Sequence, residues 1–475
     1  MIKSKVIEIL QSFSKDDLKK FSDFLCSPVF NKREVIVNLF NVYKKFHPDF
    51  GDKNLTKEKV YGKIFPGKKY NDEVFRNQNS ILLKLTEDFL SYQNYSNDPL
   101  NIKKHLLSEI NHRNLLSGFE KNYEESRKIL ENNTEKDQEY FYDSYNIFLQ
   151  KDIYNSYLNK FSKVDIQNAE KNLVIFFLMK VMEIQNYILY ECRILDLDKS
   201  LYLDDKFLDE IFKKIPKEIT QLPQIQIYFN ALKLEQTKKD IYYKKLRDLL
   251  IEHGHLIEKE KHYNKYIDMI DYIKRTKSQE DKSTVTELFQ LRKEIIEKGL
   301  FTENFITNMF FLNLVKSGIK LKEYEWVENF IKSHGHLIIE KYRDSTKELS
   351  YAYLYFEKKE FDISLSHTAK VRYEDNYYNL EIRNLIARIY YETDHFELLN
   401  EFLNSYRMYL SKNRSLNKKD FESHNLFINF INKIQRIKEL KKYHKLDAVF
   451  DLLEKKEFIN KIWIQNKIKE LEETE

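Results

Sequence analysis

The pentapeptide His-Gly-His-Leu-Ile occurs twice, at 253–257 and at 334–338. It closes a longer echo without gaps. Sliding residues 310–338 back by 81 positions sets Phe310 on Phe229, Val315 on Leu234, Tyr324 on Tyr243 and Val327 on Leu246. Phe330 and Ile331 fall on Leu249 and Leu250. The matched apolar positions recur at helical spacing, so the echo is an internal repeat of helical units. A unit of this kind cannot bury its apolar face alone and must stack on a neighbour, which narrows the fold to an array. Each Gly follows an apolar helical stripe. A residue in left-handed conformation is expected there to end the helix, with a His in the last turn suiting the negative end of its dipole.

A second register has an offset of 35. Ala352 pairs with Ala387, Tyr355 with Tyr390, Phe356 with Tyr391, Glu357 with Glu392 and Phe361 with Phe396. Small Ala residues let helices approach, and the aromatics fill the space between hairpins. "YFEKKEFDISL" (Tyr355 to Leu365) resembles the segment joining the two helices of a tetratricopeptide repeat. Ser364 and Leu399 stand where that family usually has Ala, the Trp-Leu-Gly start is absent and no Pro closes either repeat. The chain as a whole resembles a set of uncharacterised, Lys/Asn/Tyr-rich helical-repeat proteins of Bacteroidota and relatives. The matching segments are "FSKDDLKKFSDFLCSPVFNK" (Phe13 to Lys32), "LTKEKVYGKIFPGKKYNDEVFRNQ" (Leu55 to Gln78), "LKEYEWVENFI" (Leu321 to Ile331) and "YYNLEIRNLIARIYYE" (Tyr377 to Glu392). That resemblance implies an architecture and no mechanism.

Composition agrees with long helices. Eight Gly and six Pro in 475 residues leave little material for irregular loops. Aromatics at 15% supply large packing residues and argue against disorder. The predicted fold class is all-α: an irregular α-solenoid of helical hairpins, tetratricopeptide-like at 345–411, behind an N-terminal helical domain. The expected divisions are 1–97, with five helices; 98–222, with long helices; and 223–475, with the repeats. Ser14 to Asp17 forms a capping-box pattern, and Thr56 and Asn71 are expected to start further helices. The stretch Tyr92 to Pro99 is the expected domain boundary. The segment 167–195 is apolar almost all round, so a buried central helix is expected.

Two cysteines, Cys26 and Cys192, fit a reducing compartment and give no disulfide framework. The N-terminus lacks a signal-peptide pattern, and the longest apolar run, Leu173 to Met179, is short of a membrane span. A cytoplasmic protein without membrane contact is expected. The net charge is +5, and residues 1–95 hold 17 Lys and Arg against 12 Asp and Glu. This is a weak bias beside the basic stripe that phosphate binding usually shows.

The search for chemistry finds no catalytic residues, cofactor or metal site. Gly67-Lys-Lys69 lacks the first Gly and the hydroxyl of a phosphate-binding loop. His112-Arg-Asn114 has Asn where a kinase loop has Asp. Asp196 to Ser200 starts like a calcium loop, but Leu201 and Phe207 replace the Gly and Glu such a loop needs. Side chains two apart on a helix point about 200° apart, so the His-x-His pairs are poor chelators. Cys26 is expected in the core.

Two functions follow. The first is a non-enzymatic scaffold binding a protein or peptide on the repeat surface. The tetratricopeptide resemblance implies that Tyr353, Phe356, Asn384, Arg388 and Tyr391 face the groove, while Phe356 and Tyr391 suit packing against the neighbouring hairpin equally well. The second is a DNA-associated regulator. Leu55 to Leu90 resembles the helix-turn-helix of bacterial activators that join a winged helix to a tetratricopeptide array. That resemblance implies that Arg76, Asn79, Ser80 and Lys84 contact the duplex. No wing is visible after Leu90, since "SYQNYSNDPLN" lacks strand alternation, and the segment 1–97 also suits a helical cap on the open end of the array.

Overall fold

The structure, a computed structural model, describes residues 4–195, 197, 206–278, 281–301, 305–372, 376–413 and 416–473. It is an all-α array of helices packed in adjacent pairs, and helix occupies 80% of the described residues. Among the described residues the only β feature is one parallel bridge, Ile306 with Ile338. The chain divides into two compact units. Unit 1 is Met1–Val181 with Glu210–Gln221, and unit 2 is Met182–Asp209 with Leu222–Glu475.

Unit 1 holds α1 (Lys5–Ser12), α2 (Lys15–Cys26), α3 (Glu34–Lys44), α4 (Lys57–Ile64) and α5 (Asp72–Ser96). These five helices enclose a core rich in phenylalanine, with Phe21 against Phe40 at 4.9 Å and Phe89 at 5.0 Å. Ser14 accepts the Asp17 N–H at 3.1 Å while Asp17 accepts the Ser14 N–H at 2.9 Å, closing the expected capping box. Thr56 and Asn71 cap α4 and α5. Next come α6 (Pro99–His112), α7 (Leu116–Asn132) and α8 (Gln138–Tyr157), around a second core where Phe119 stacks on Tyr154 at 4.1 Å. The boundary expected at 97/98 falls inside unit 1, between α5 and α6. Cys26 ends α2 exposed rather than buried, because the helix stops there with its apolar face already filled by Phe21, Phe24 and Leu25.

Helix α9 (Lys163–Leu195) passes from unit 1 into unit 2. It is not buried all round. Ile175, Leu178 and Met179 are enclosed, while Leu173 and Phe177 are exposed in unit 1 and Ile184, Tyr187 and Ile194 in unit 2. Its length, and an 18-residue window of mean hydropathy 1.4, would suffice to cross a membrane; 39% of that window is buried in the protein. Two short helices follow, α10 (Phe207–Lys214) and α11 (Lys217–Thr220).

The hairpins of unit 2 begin with α12 (Pro223–Thr237) and α13 (Asp240–His253), α14 (Lys259–Thr276) and α15 (Lys282–Glu297), and α16 (Asn308–Lys320) and α17 (Tyr324–His334). Then come α18 (Glu340–Glu357) and α19 (Phe361–Thr368), and α20 (Asn376–Glu392) and α21 (Phe396–Lys412). The unit closes with α22 (Lys418–Leu440), α23 (Leu446–Glu454) and α24 (Lys461–Glu472). First helices pack on first helices: α12 on α14, α16 on α18, α18 on α20.

The 81-residue echo is structural. Residues Gly254–Leu256 and Gly335–Leu337 each form one 3₁₀ turn, and α14 and α18 occupy equivalent bounds at both ends. The glycines are not left-handed. Gly254 has φ −59° and Gly335 φ −59°, ordinary helical values. They are glycine because the next helix crosses over them. A Cβ on Gly254 would overlap the His262 imidazole of α14, and one on Gly335 would lie 2.9 Å from Lys347 Cδ of α18.

Candidate functional site

All five residues expected to face a groove are enclosed in unit 2. Tyr353 is 7% exposed, Phe356 5%, Asn384 2%, Arg388 9% and Tyr391 2%. They pack hairpin against hairpin. The Arg388 guanidinium lies 4.6 Å from the Phe356 ring centre. The Tyr353 hydroxyl donates to Glu381, which also receives Lys316 at 2.6 Å. The Lys316 charge and these two bonds hold the Glu381 carboxyl below its ordinary value despite burial, which alone would raise it. Asn384 accepts from the Tyr406 hydroxyl at 3.0 Å, and Tyr391 meets Trp463 edge-on at 5.3 Å. Aromatic and Arg residues suit an interface and a hairpin contact equally well. Of the two readings open for Phe356 and Tyr391, the structure has the hairpin contact, and Tyr353, Asn384 and Arg388 share it.

The residues of the DNA reading lie on α5. Arg76 is exposed and paired with Asp72, and Ser80 and Lys84 are exposed. Asn79 is committed inside unit 1: it accepts from the Tyr43 hydroxyl at 2.6 Å and donates to the Phe75 carbonyl at 2.9 Å. The chain after Leu90 stays helical to Ser96, so no wing follows α5.

His255 and His336 are exposed, while His334 stacks on Phe330 at 5.1 Å. Among the described residues no group of three or more His, Cys, Asp or Glu side chains converges as a metal site. The calcium-like stretch Asp196 to Ser200 lies outside the described residues except for Leu197.

Two grooves of unit 2 bear on function. One, about 480 Å³, runs between α9 and α14 under Ile184, Tyr187 and Tyr190. Its cations are committed: Lys261 binds Glu183 at 2.6 Å, and Lys265 lies 3.6 Å from Asp268 and 4.9 Å from the Tyr228 ring centre.

The other, about 700 Å³, is formed by α21, α22 and the end of α23. Asn400, Asn404 and Arg407 share one face of α21 at i, i+4, i+7 spacing. Asn429, Asn432, Lys433 and Arg436 come from α22, with Leu426 and the buried Phe430 beneath. Lys456 and the exposed Leu452 close one side. The helices present these residues because their opposite faces, including Leu399, Leu403, Phe427 and Ile431, fill the core. Arg407 spans the groove, donating to Asn404 Oδ1 at 3.2 Å and Asn429 Oδ1 at 3.4 Å. Lys433 lies 5.6 Å from the Phe430 ring centre. Among the described residues the side chains of Arg436 and Lys456 have no hydrogen-bond or ion-pair partner, and Glu439 is the only lining carboxylate. Sequence reasoning missed this site because an Asn/Lys/Arg stripe on an amphipathic helix looks like any solvated face.

No family model, curated protein or solved structure matches the chain.

Proposed function

We propose that the protein is a non-enzymatic adaptor that holds a protein or peptide partner on the helical hairpins of unit 2. The observation that carries this reading is the groove of α21 to α23, which offers the cations Arg436 and Lys456, unpaired among the described residues, beside four amides on a helical frame. Stacked hairpins present such surfaces by construction. The α18–α19 and α20–α21 hairpins repeat at 35 residues, with α18 and α20 ending at Glu357 and Glu392 and their partners starting at Phe361 and Phe396. That regularity supports a tetratricopeptide-like array. Two free cysteines agree with a cytoplasmic setting. The DNA reading rests on exposed Arg76, Ser80 and Lys84, and the commitment of Asn79 and the helical 91–96 segment weaken it.

The test is capture from native lysate with the tagged intact chain, with and without nuclease. A specific protein retained at raised salt and indifferent to nuclease is the expected result. A catch that vanishes with nuclease, alongside a duplex shift abolished by Arg76→Glu with Lys84→Glu, would replace the adaptor with the regulator.

A further inference from the structure

We infer that the α21–α23 groove takes an acidic, extended segment of a partner polypeptide; the inference rests on the adaptor reading and names its ligand. The argument begins with charge. Arg407, Lys433, Arg436 and Lys456 face the groove, against Glu439 alone. Arg436 comes from α22 and Lys456 from the loop after α23, and among the described residues neither is satisfied by the protein's own carboxylates. Four other cations of unit 2 are spent on carboxylates: Lys261 on Glu183, Arg193 on Glu235 and Asp271, Lys316 on Glu381, Lys467 on Glu392. The groove is therefore a local surplus of positive charge on a chain whose 80 cations and 75 anions nearly balance.

The second step is shape and donor chemistry. From Asn429 to Glu439 α22 rises about 15 Å, which accommodates about four or five residues of extended chain. Side-chain amides both donate and accept, as a peptide backbone does, and Asn400, Asn404, Asn429 and Asn432 flank that path from two helices. Leu426 and Leu452 add apolar contact. Phe430 is 4% exposed, so its face is closed to a nucleobase, and no other aromatic ring lines the groove on which a base could stack. These features select an acidic peptide over a nucleic acid.

The experiment is fluorescence anisotropy with the full chain. The probe is a labelled eight-residue peptide of Glu, Asp and two Leu; its control carries Gln and Asn in place of the acids. We expect micromolar binding of the acidic probe, at least tenfold weaker binding of the control, and a loss of at least tenfold on Lys433→Glu with Arg436→Glu. Lys456→Glu, on the other side of the groove, should weaken it independently. Equal binding of the two peptides, or wild-type affinity in both charge-reversed proteins, would overturn the inference. So would a single-stranded oligonucleotide that outcompetes the peptide, or inorganic phosphate that displaces it at equimolar concentration. If charge reversal abolishes peptide binding but leaves nuclease-resistant lysate capture intact, the groove is not where the captured partner binds, and the inference fails while the adaptor reading stands.

Discussion

At the scale of single residues, Gly254 and His262 act as a pair. The glycine was legible as half of a repeated motif. The reason for it was not, because the sequence cannot show that α14 crosses over the turn. Gly254→Ala would drive a methyl into a ring that is 5% exposed and has nowhere to move, so we expect a loss of about 2 to 3 kcal/mol. Gly335→Ala meets only the flexible Lys347 chain, and we expect a loss below about 1 kcal/mol. Urea midpoints of the two variants check this; equal losses would mean that the imidazole is not the obstacle. His262 also carries a pH dependence. Burial, with the Lys298 and His255 charges, pushes its imidazole down from 6.5 to about 4. Between those values the unfolded chain binds a proton that the folded chain refuses, so stability falls as pH drops through this window. At pH 5 the loss from this residue is about 2 kcal/mol relative to pH 7. His262→Gln should flatten the part of the urea-midpoint slope between pH 7 and 5 that His262 contributes. His424, also lowered by burial, leaves a residual slope.

At the scale of the element, the scarcity of glycine leaves little material for irregular loops, and the structure makes its short connections largely without glycine. Helix after helix ends in a left-handed residue followed by a bond from the next N–H to a carbonyl five residues back. Glu360 donates to Tyr355 past Lys359 (φ 63°), and His395 to Tyr390 past Asp394 (φ 54°). Leu115, Lys160, Glu323 and Lys442 do the same past Asn114, Asn159, Lys322 and Lys441. Gly299 is the one glycine in this role among the described residues. The closing bonds and the apolar faces of the paired helices outweigh a backbone cost of about 1 kcal/mol per left-handed side chain. Replacing Lys359 or Asp394 by Gly should therefore stabilise the protein by about 0.5 to 1 kcal/mol each, read from thermal or urea midpoints. A loss in both would show that the Lys and Asp side chains do more than end a helix. The bounds of these hairpins were legible, since Glu357 with Glu392 and Phe361 with Phe396 marked them at an offset of 35. The candidate groove was not. Its Asn and Arg residues occupy polar faces, and only the packing of α21 against α22 converts two ordinary faces into one concave site.

At the scale of the whole molecule, the sequence divides where polar residues cluster, while the structure divides where packing ends. Tyr92 to Pro99 reads as a linker, yet α5 runs to Ser96 and Asp98 at once caps α6, accepting from the Leu100 and Asn101 N–H groups at 2.9 and 3.1 Å. Helix α9 poses the sharper question, since its length and hydropathy would let it cross a bilayer. Within unit 2 it carries polar groups whose partners lie on other helices. Asn186 donates to Asp268 at 3.0 Å, Glu183 binds Lys261 at 2.6 Å, and Arg193 binds Glu235 at 3.1 Å and Asp271 at 2.6 Å. A lipid environment would strip these groups of their partners at a cost of several kcal/mol. Arg193→Leu separates the two possibilities because it makes α9 more apolar while leaving Glu235 and Asp271 with Arg275 alone. For a helix packed into unit 2 the substitution should cost about 2 kcal/mol in urea denaturation. It should also leave the intact chain in the supernatant when neutral phosphatidylcholine vesicles are sedimented. Unchanged stability with stronger vesicle binding would instead make α9 a lipid-facing element, because only there does losing the guanidinium remove a cost rather than a partner.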